Sequence, residues 1–243
     1  MNLLAHQHVV VIGGSSGMGL ATAQAAAREG AMVTIAGRNE ARLAAAAASL
    51  GNQARARTLD ITDEAAVSAF FEAVDPIDHL VMTAHASSVV TGAITTLSDM
   101  TMAAARAFME TKFWGPFTAA KYGAPRLKAD GSIIFFSGAA GTRKLLPHHT
   151  AIGATNGAVE AFARQLAKEI APKRVNVIAA GLVQTPTYDG LSDDARAGMY
   201  AGYARQALVG RVGLPEDVAA AAIYLMCSTY VTGQIHEIDG GRP

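Results

Sequence analysis

With a single cysteine, Cys227, the chain has no intramolecular disulfide and no cysteine-based zinc cluster. A reducing compartment fits, and cytoplasmic localisation is the expectation. Charge is also scarce: only 16% of the 243 residues are charged, and twenty basic side chains balance twenty acidic ones. No net field is available to attract nucleic acid, and no basic run suggests a membrane surface. Long apolar runs are missing, because Gly, Ser or a charge interrupts each one well short of membrane-spanning length. The first residues, Met1 to His6, lack the charged start and apolar stretch of a signal peptide. What is abundant is apolar: 51% of the residues are hydrophobic and 24 are glycine. That supports one sizeable core, so a single domain over residues 1–243 is expected.

Apolar β-branched runs alternate with Ala-rich segments of helical period. His8 to Ile12 reads as a strand buried on both faces and ends in glycines. Leu20 to Glu29 reads as a helix closed by Gly30, Ala31 to Ala36 as a strand, and Glu40 to Leu50 as a helix closed by Gly51. A strand over Ala56 to Leu59, a helix over Glu64 to Val74 and a strand over Asp78 to Thr83 follow. Ser98 is expected to cap a long helix running toward Lys121 and bent near Pro116. Ser132 to Phe136, Gly157 to Ile170, Arg174 to Ala179, Pro215 to Met226 and Gln234 to Ile238 complete the alternation. The pattern predicts an α/β fold of three layers, a doubly wound parallel sheet covered on both faces.

Between the first strand and helix lies Gly13-Gly14-Ser15-Ser16-Gly17-Met18-Gly19. Glycines there allow a tight turn and let the backbone approach a pyrophosphate at a helix N-terminus. After the second strand, where a carboxylate would hold both ribose hydroxyls, the chain has Gly37-Arg38-Asn39, with Arg42 one turn on. A guanidinium suits a 2′-phosphate, which favours NADP(H) over NAD(H); the alternative is a solvated loop arginine.

Through these and the following segments the chain resembles the short-chain dehydrogenase/reductase family over nearly its whole length. The glycine turn has that family's spacing, and Leu59-Asp60-Ile61-Thr62-Asp63 looks like its adenine-contacting segment. Ala180-Gly181-Leu182-Val183-Gln184-Thr185-Pro186 is similar to its nicotinamide-contacting stretch. Pro215-Glu216-Asp217-Val218 and Tyr230 to Gly241 resemble its C-terminal signature. The resemblance implies a Rossmann fold whose cofactor contacts fall on Gly13, Ser15, Ser16, Gly17, Met18, Gly19, Arg38, Asp60, Ile61, Ala84, Asn156, Val183 and Thr185.

Catalytic members of that family carry a Tyr-x-x-x-Lys pair, the phenol moving the substrate proton and the ammonium lowering its pKa. Here Ile152 and Asn156 occupy the corresponding segment. The family's Ser-Ser pair reads Ser137-Gly138, its Asn-Asn-Ala-Gly reads Met82-Thr83-Ala84-His85, and Lys112 replaces its helix asparagine. Lysine and asparagine have thus exchanged places, by function or by chance. The loop Gly141 to Pro147 looks one residue longer than usual. Candidate catalytic residues are Lys112, Ser137 and His149, with His85 and His148 weaker; no metal site is expected. Tyr188, Tyr200 and Tyr203 lie in a substrate-covering segment over about residues 186–210, small and lightly charged, which argues for a modest, largely apolar ligand.

Two readings follow. One is an NADP(H)-dependent oxidoreductase transferring hydride to or from a carbonyl or alcohol with a rebuilt proton donor. The alternative is a non-catalytic dinucleotide-binding protein, a sensor or assembly partner. The stripe Val159, Phe162, Ala163 and Leu166, and the helix carrying Trp114, either pack on the sheet or join subunits of a homodimer or homotetramer.

Overall fold

The computed structural model describes residues 2–52, 54–85, 91–140 and 142–243. Seven strands form one parallel sheet in the order β3-β2-β1-β4-β5-β6-β7. They are β1 (His8–Ile12), β2 (Met32–Gly37), β3 (Ala54–Thr58), β4 (Ile77–Met82), β5 (Leu127–Gly138), β6 (Arg174–Ala180) and β7 (Ile235–Ile238). Helices α1 (Gly17–Arg28), α2 (Glu40–Leu50) and α8 (Pro215–Cys227) lie on one side. On the other lie α3 (Glu64–Ala73), α5 (Gly115–Gly123) and α6 (Thr150–Glu169). Two further helices, α4 (Met102–Met109) and α7 (Asp193–Ala204), stand near the carboxyl edge of the sheet.

The strand alternation explains why both faces are apolar. Val10 and Ile12 enter one core with Leu80, Ile133 and Phe135, whereas Val9 and Val11 enter the other with Ile35, Val81 and Ile134. Side chains two residues apart share a face, so a strand covered twice must be apolar at every position. The chain order reverses between β1 and β4, and the crevice at their carboxyl ends is where such sheets bind ligands.

Several boundaries differ from the sequence expectation. Helix α1 starts at Gly17, not Leu20, because the glycine turn itself becomes its first turn. Helix α6 starts at Thr150, seven residues before the expected Gly157. Its first two turns contain poor helix formers, and burial of Ile152, Thr155 and Asn156 overrides their local preference.

Ser98 is not a helix cap: Thr101 is, its hydroxyl accepting from the Ala104 N–H at 3.1 Å, while Ser98 bonds Thr96. Helix α7 lies inside the covering segment; Ser192 caps it and Asp193 and Asp194 occupy its first turn, a start signal present in the sequence.

The expected bend near Pro116 takes a definite form. Glu110–Trp114 is a π turn joining α4 to α5, in which the Gly115 N–H bonds the Glu110 carbonyl five residues back. Pro116 has no N–H to return to the carbonyl four residues before it, so the ordinary ladder fails at Lys112 and the turn widens there.

Candidate active site

The glycine turn is shaped by contacts that exclude a side chain. The Gly13 N–H bonds the Ala36 carbonyl at 2.7 Å, and Gly13 has φ of +91°. A Cβ on Gly13 would lie 2.5 Å from the Ala84 nitrogen, and one on Gly19 would collide with the Gly13 carbonyl and the Thr83 hydroxyl. Helix α1 therefore begins directly against the ends of β1 and β4. Its N-cap, Ser16, makes no side-chain capping bond, and no acidic residue sits in the first turn. The N–H groups there are left for an anion.

This turn forms one wall of a groove of about 600 Å³. Gly13, Ser15, Ser16, Gly17, Met18, Gly19, Arg38, Asp60, Ile61, Ala84 and Thr185 all line it, with Arg42 beside Arg38. Asp60 Oδ1 accepts from the Thr62 N–H at 3.0 Å and from its hydroxyl at 2.8 Å; the backbone bond is the main reason its carboxyl stays below the usual range. Two of the expected contacts fall elsewhere. Val183 is buried in the core and pairs beside Gly213, so its side chain lines neither this groove nor the next cavity. Asn156 lines the neighbouring cavity instead.

That cavity, about 510 Å³, adjoins the groove, and Met18 and His85 line both. Lys112 reaches it from the π turn and is only 8% exposed; burial pulls its ammonium down to about 8. Burial, and then the Lys112 charge, hold the His85 imidazole down at about 3, so the ring is neutral. His85 Nδ1 lies 3.2 Å from the Thr83 carbonyl and donates to it, which makes Nε2 the acceptor nitrogen of the neutral ring.

Helix α6 packs on the π turn and brings two more residues to the cavity. Ile152 is buried with Ala93 and Phe108 in an apolar cluster. One turn on, Asn156 Nδ2 donates to the Gly138 carbonyl at 3.2 Å and the Ala140 carbonyl at 3.0 Å. Its Oδ1 is buried with no hydrogen-bond partner among the described residues.

Ser137 also lines the cavity, but its hydroxyl donates to Glu160 Oε1 at 2.9 Å. Glu160 is paired in turn with Arg143 at 2.8 Å. The Ser137 hydroxyl, a candidate catalytic group by sequence, thus directs its hydrogen at a carboxylate in this structure and keeps only its lone pairs for another donor. His149 stands at the start of α6 with Nδ1 2.7 Å from the Pro147 carbonyl. Its Nδ1–H is thereby committed and Nε2 left available. His148 is exposed, with φ of +65°. Gly141, the start of the loop expected to be longer, lies outside the described residues.

Tyr188 and Tyr203 line the cavity. Tyr200 stacks edge-on against Tyr188 at 6.3 Å, and burial pushes the Tyr188 phenol up to about 12. Sequence reasoning missed Arg242, Met199 and Gln206, which also border the cavity. No motif marks them, because the fold alone brings the segment after β7 beside α7.

A parallel sheet reversed at β1/β4, with a glycine turn and an open helix N-terminus at that point, defines a dinucleotide-binding protein. Comparison with known proteins narrows the class. A family model described as Enoyl-(Acyl carrier protein) reductase matches residues 13–242. "Short-chain dehydrogenase/reductase ATR9" of Stachybotrys chlorohalonatus is 36% identical over 97% of this chain and 96% of its own length. "Inactive 2-(S)-hydroxypropyl-CoM dehydrogenase 2" of Xanthobacter autotrophicus is 33% identical over 90% of this chain and 98% of its own. A solved small-chain dehydrogenase in complex with NADPH superposes with a TM-score of 0.81 at 34% identity, covering 97% of this chain and 98% of that one. The chain belongs to the short-chain dehydrogenase/reductase family, and its fold is that family's single-domain Rossmann fold.

Proposed function

We propose that this protein is an NADP(H)-dependent oxidoreductase that acts on a small carbonyl or alcohol and moves the substrate proton through Lys112 rather than a tyrosine. One observation carries the reading: a buried ammonium lines a cavity that adjoins the dinucleotide groove and shares Met18 and His85 with it. The groove residues fit the cofactor on physical grounds. The glycine cradle leaves no room for side chains, and Arg38 and Arg42 offer guanidinium groups to a 2′-phosphate. When bound, the dinucleotide supplies or accepts the hydride.

In the reducing direction, the Lys112 ammonium hydrogen-bonds the carbonyl oxygen, polarises it, and gives up one proton as the carbon is reduced. His149, with Nε2 available, returns a proton to the site from solvent. Ile152 stands where catalytic relatives carry tyrosine and packs with Phe108, keeping water from the reacting carbon.

The test begins with NADPH and NADH titrations followed by nicotinamide fluorescence, then a screen of ketones, enones and alcohols by nicotinamide absorbance. Lys112→Met should lower kcat by about a hundredfold or more with NADPH affinity retained. For the reducing direction, kcat/KM should be level below about pH 8 and fall above it, as Lys112 loses its proton.

A second reading, a dinucleotide-bound protein without turnover, is favoured by Ile152 at the proton-donor position and by Ser137 committed to Glu160. Tight NADPH binding with no absorbance change for any substrate would select it. Homodimer or homotetramer assembly belongs to the proposal too. It is supported by the ring cluster of Phe113, Trp114, Phe117 and Phe162, in which Trp114 is 48% exposed. The free thiol of Cys227 supports a cytoplasmic setting.

A further inference from the structure

The ionisable lining of the 510 Å³ cavity is one-sided. It includes Lys112, Lys144 and Arg242 together with His85 and His149, and among the described residues its lining contains no Asp or Glu. An apolar substrate alone would give no reason for such a set, since each buried or half-buried cation without a partner is costly. Lys144 is already occupied, 3.7 Å from Glu237 Oε2 and 3.6 Å from Asp239 Oδ2. Lys112 is assigned above to the reacting oxygen. Arg242 is the cation left over.

Arg242 is held in place by neutral groups. Its Nε donates to Gln206 Oε1 at 2.9 Å, and its guanidinium lies over the Tyr203 ring, 5.1 Å from the centroid. That ring is fixed in turn, its hydroxyl donating to the Asp239 carbonyl at 2.8 Å. Among the described residues no carboxylate forms an ion pair with Arg242. A guanidinium clamped through Nε and one face still presents its two terminal nitrogens as a fork matched to a carboxylate. Because stacking has already ordered the side chain, little conformational entropy is left to lose on binding.

The sheet spaces the strand ends near which the two cations lie. Lys112 adjoins His85, just past β4, whereas Arg242 follows β7. Three inter-strand steps separate those strand ends, roughly 14 Å at about 4.8 Å per step. The cavity walls also include Phe108, Ile152, Tyr188 and Met199.

We propose that the substrate is an anionic carbonyl or hydroxy compound, a carboxylate on an apolar body, and that Arg242 is the specificity-determining residue that grips its carboxylate while the carbonyl or hydroxyl oxygen meets Lys112. This refines the expected largely apolar ligand and rests on the oxidoreductase reading for the role of Lys112. The anion site itself does not depend on turnover.

The test therefore has a binding arm and a kinetic arm. With NADP(H) present, phenylpropionate and phenylbutanoate, and the matching amides, are titrated into the protein by calorimetry. The carboxylates should bind about tenfold or more tighter than the amides. Arg242→Gln should abolish that difference, Arg242→Lys should keep part of it, and neither should change NADPH affinity measured by fluorescence. Equal binding of acid and amide by the unmodified protein, or no binding of either, overturns the proposal. So does an acid preference that survives Arg242→Gln but disappears in Lys112→Met. If Arg242→Gln does not fold, Arg242→Lys and Gln206→Leu, which frees Nε, should each weaken the preference, and an unchanged preference in both overturns it. In the kinetic arm, keto acids should exceed their methyl esters in kcat/KM. Arg242-dependent binding without turnover of any ketone would uphold the anion site and remove the oxidoreductase reading; turnover without acid preference would do the reverse.

Discussion

The Ser137 hydroxyl donates a hydrogen bond of 2.9 Å to Glu160 Oε1. The serine at the end of β5 thus belongs to an ionic network running through Arg143 to Glu237, 2.9 Å from the Arg143 Nε. Ser137→Ala should lower turnover by less than about fivefold and cost about 1 kcal/mol of stability. Glu160→Ala removes the anion beside a partly buried guanidinium and should cost about 3 kcal/mol. Urea unfolding alongside steady-state kinetics measures both. A hundredfold loss of turnover in Ser137→Ala would return the serine to the chemistry.

Arg38 controls the choice of cofactor in the proposed function. It lines the groove beside Arg42, and its charge helps hold the Asp60 carboxyl down. Arg38→Glu should weaken NADPH binding by about tenfold to a hundredfold and leave NADH binding equal or improved. Raised salt should narrow the gap between the two cofactors in the unmodified protein. Fluorescence titration of both dinucleotides reads the outcome.

Gly19→Ala should remove the groove. The added methyl meets the Gly13 carbonyl and the Thr83 hydroxyl, and Thr83 is tied to the Ile12 carbonyl at 3.0 Å, so the turn cannot yield cheaply. Destabilisation of about 2–3 kcal/mol is expected, with dinucleotide binding lost in the protein that remains folded. Thermal unfolding with and without NADPH is the measurement. The ligand-induced rise in Tm should disappear.

His79 makes the fold acid-sensitive at the opposite edge of the sheet. Its Nε2–H donates to Gln7 Oε1 at 2.7 Å and its Nδ1 accepts from Ser132 at 2.8 Å. Burial, followed by the Arg174 charge, pushes the imidazole down to about 4. In the unfolded chain it titrates near 6.5. Between those values only the unfolded state takes up the proton, so stability falls as pH drops through that window. The loss reaches about 3 kcal/mol by pH 4 from this residue. His8, also depressed chiefly by burial, adds in the same direction. Unfolding midpoints across that range should flatten in His79→Gln.

The element order was legible because its signals are local. The run His8 to Ile12, the glycines that close α1 and α2, and the turn Gly13 to Gly19 announce strand, stop and phosphate loop within a few residues. Eleven of the thirteen expected cofactor contacts line the groove for the same reason, as they sit at the strand ends that the alternation predicts. The start of α6 was not legible, since Gly153, Asn156 and Gly157 argue against a helix that only burial of Ile152 against Phe108 makes favourable.

The sequence by itself determined the doubly wound sheet, the dinucleotide groove and the residues Ile152, Asn156 and Lys112 at the centre of the candidate site. Only the tertiary structure decided what those residues can do. It hydrogen-bonded the Ser137 hydroxyl to Glu160, opened a π turn that buries Lys112, and carried Arg242 from the far end of the chain onto Tyr203. Periodicity and turn chemistry act over a few residues and are written in the chain order. Hydrogen-bond partners, burial and the company of charges depend on contacts between separate elements, 23 residues apart for Ser137 and Glu160 and 36 for Gln206 and Arg242, and those exist only once the sheet has formed.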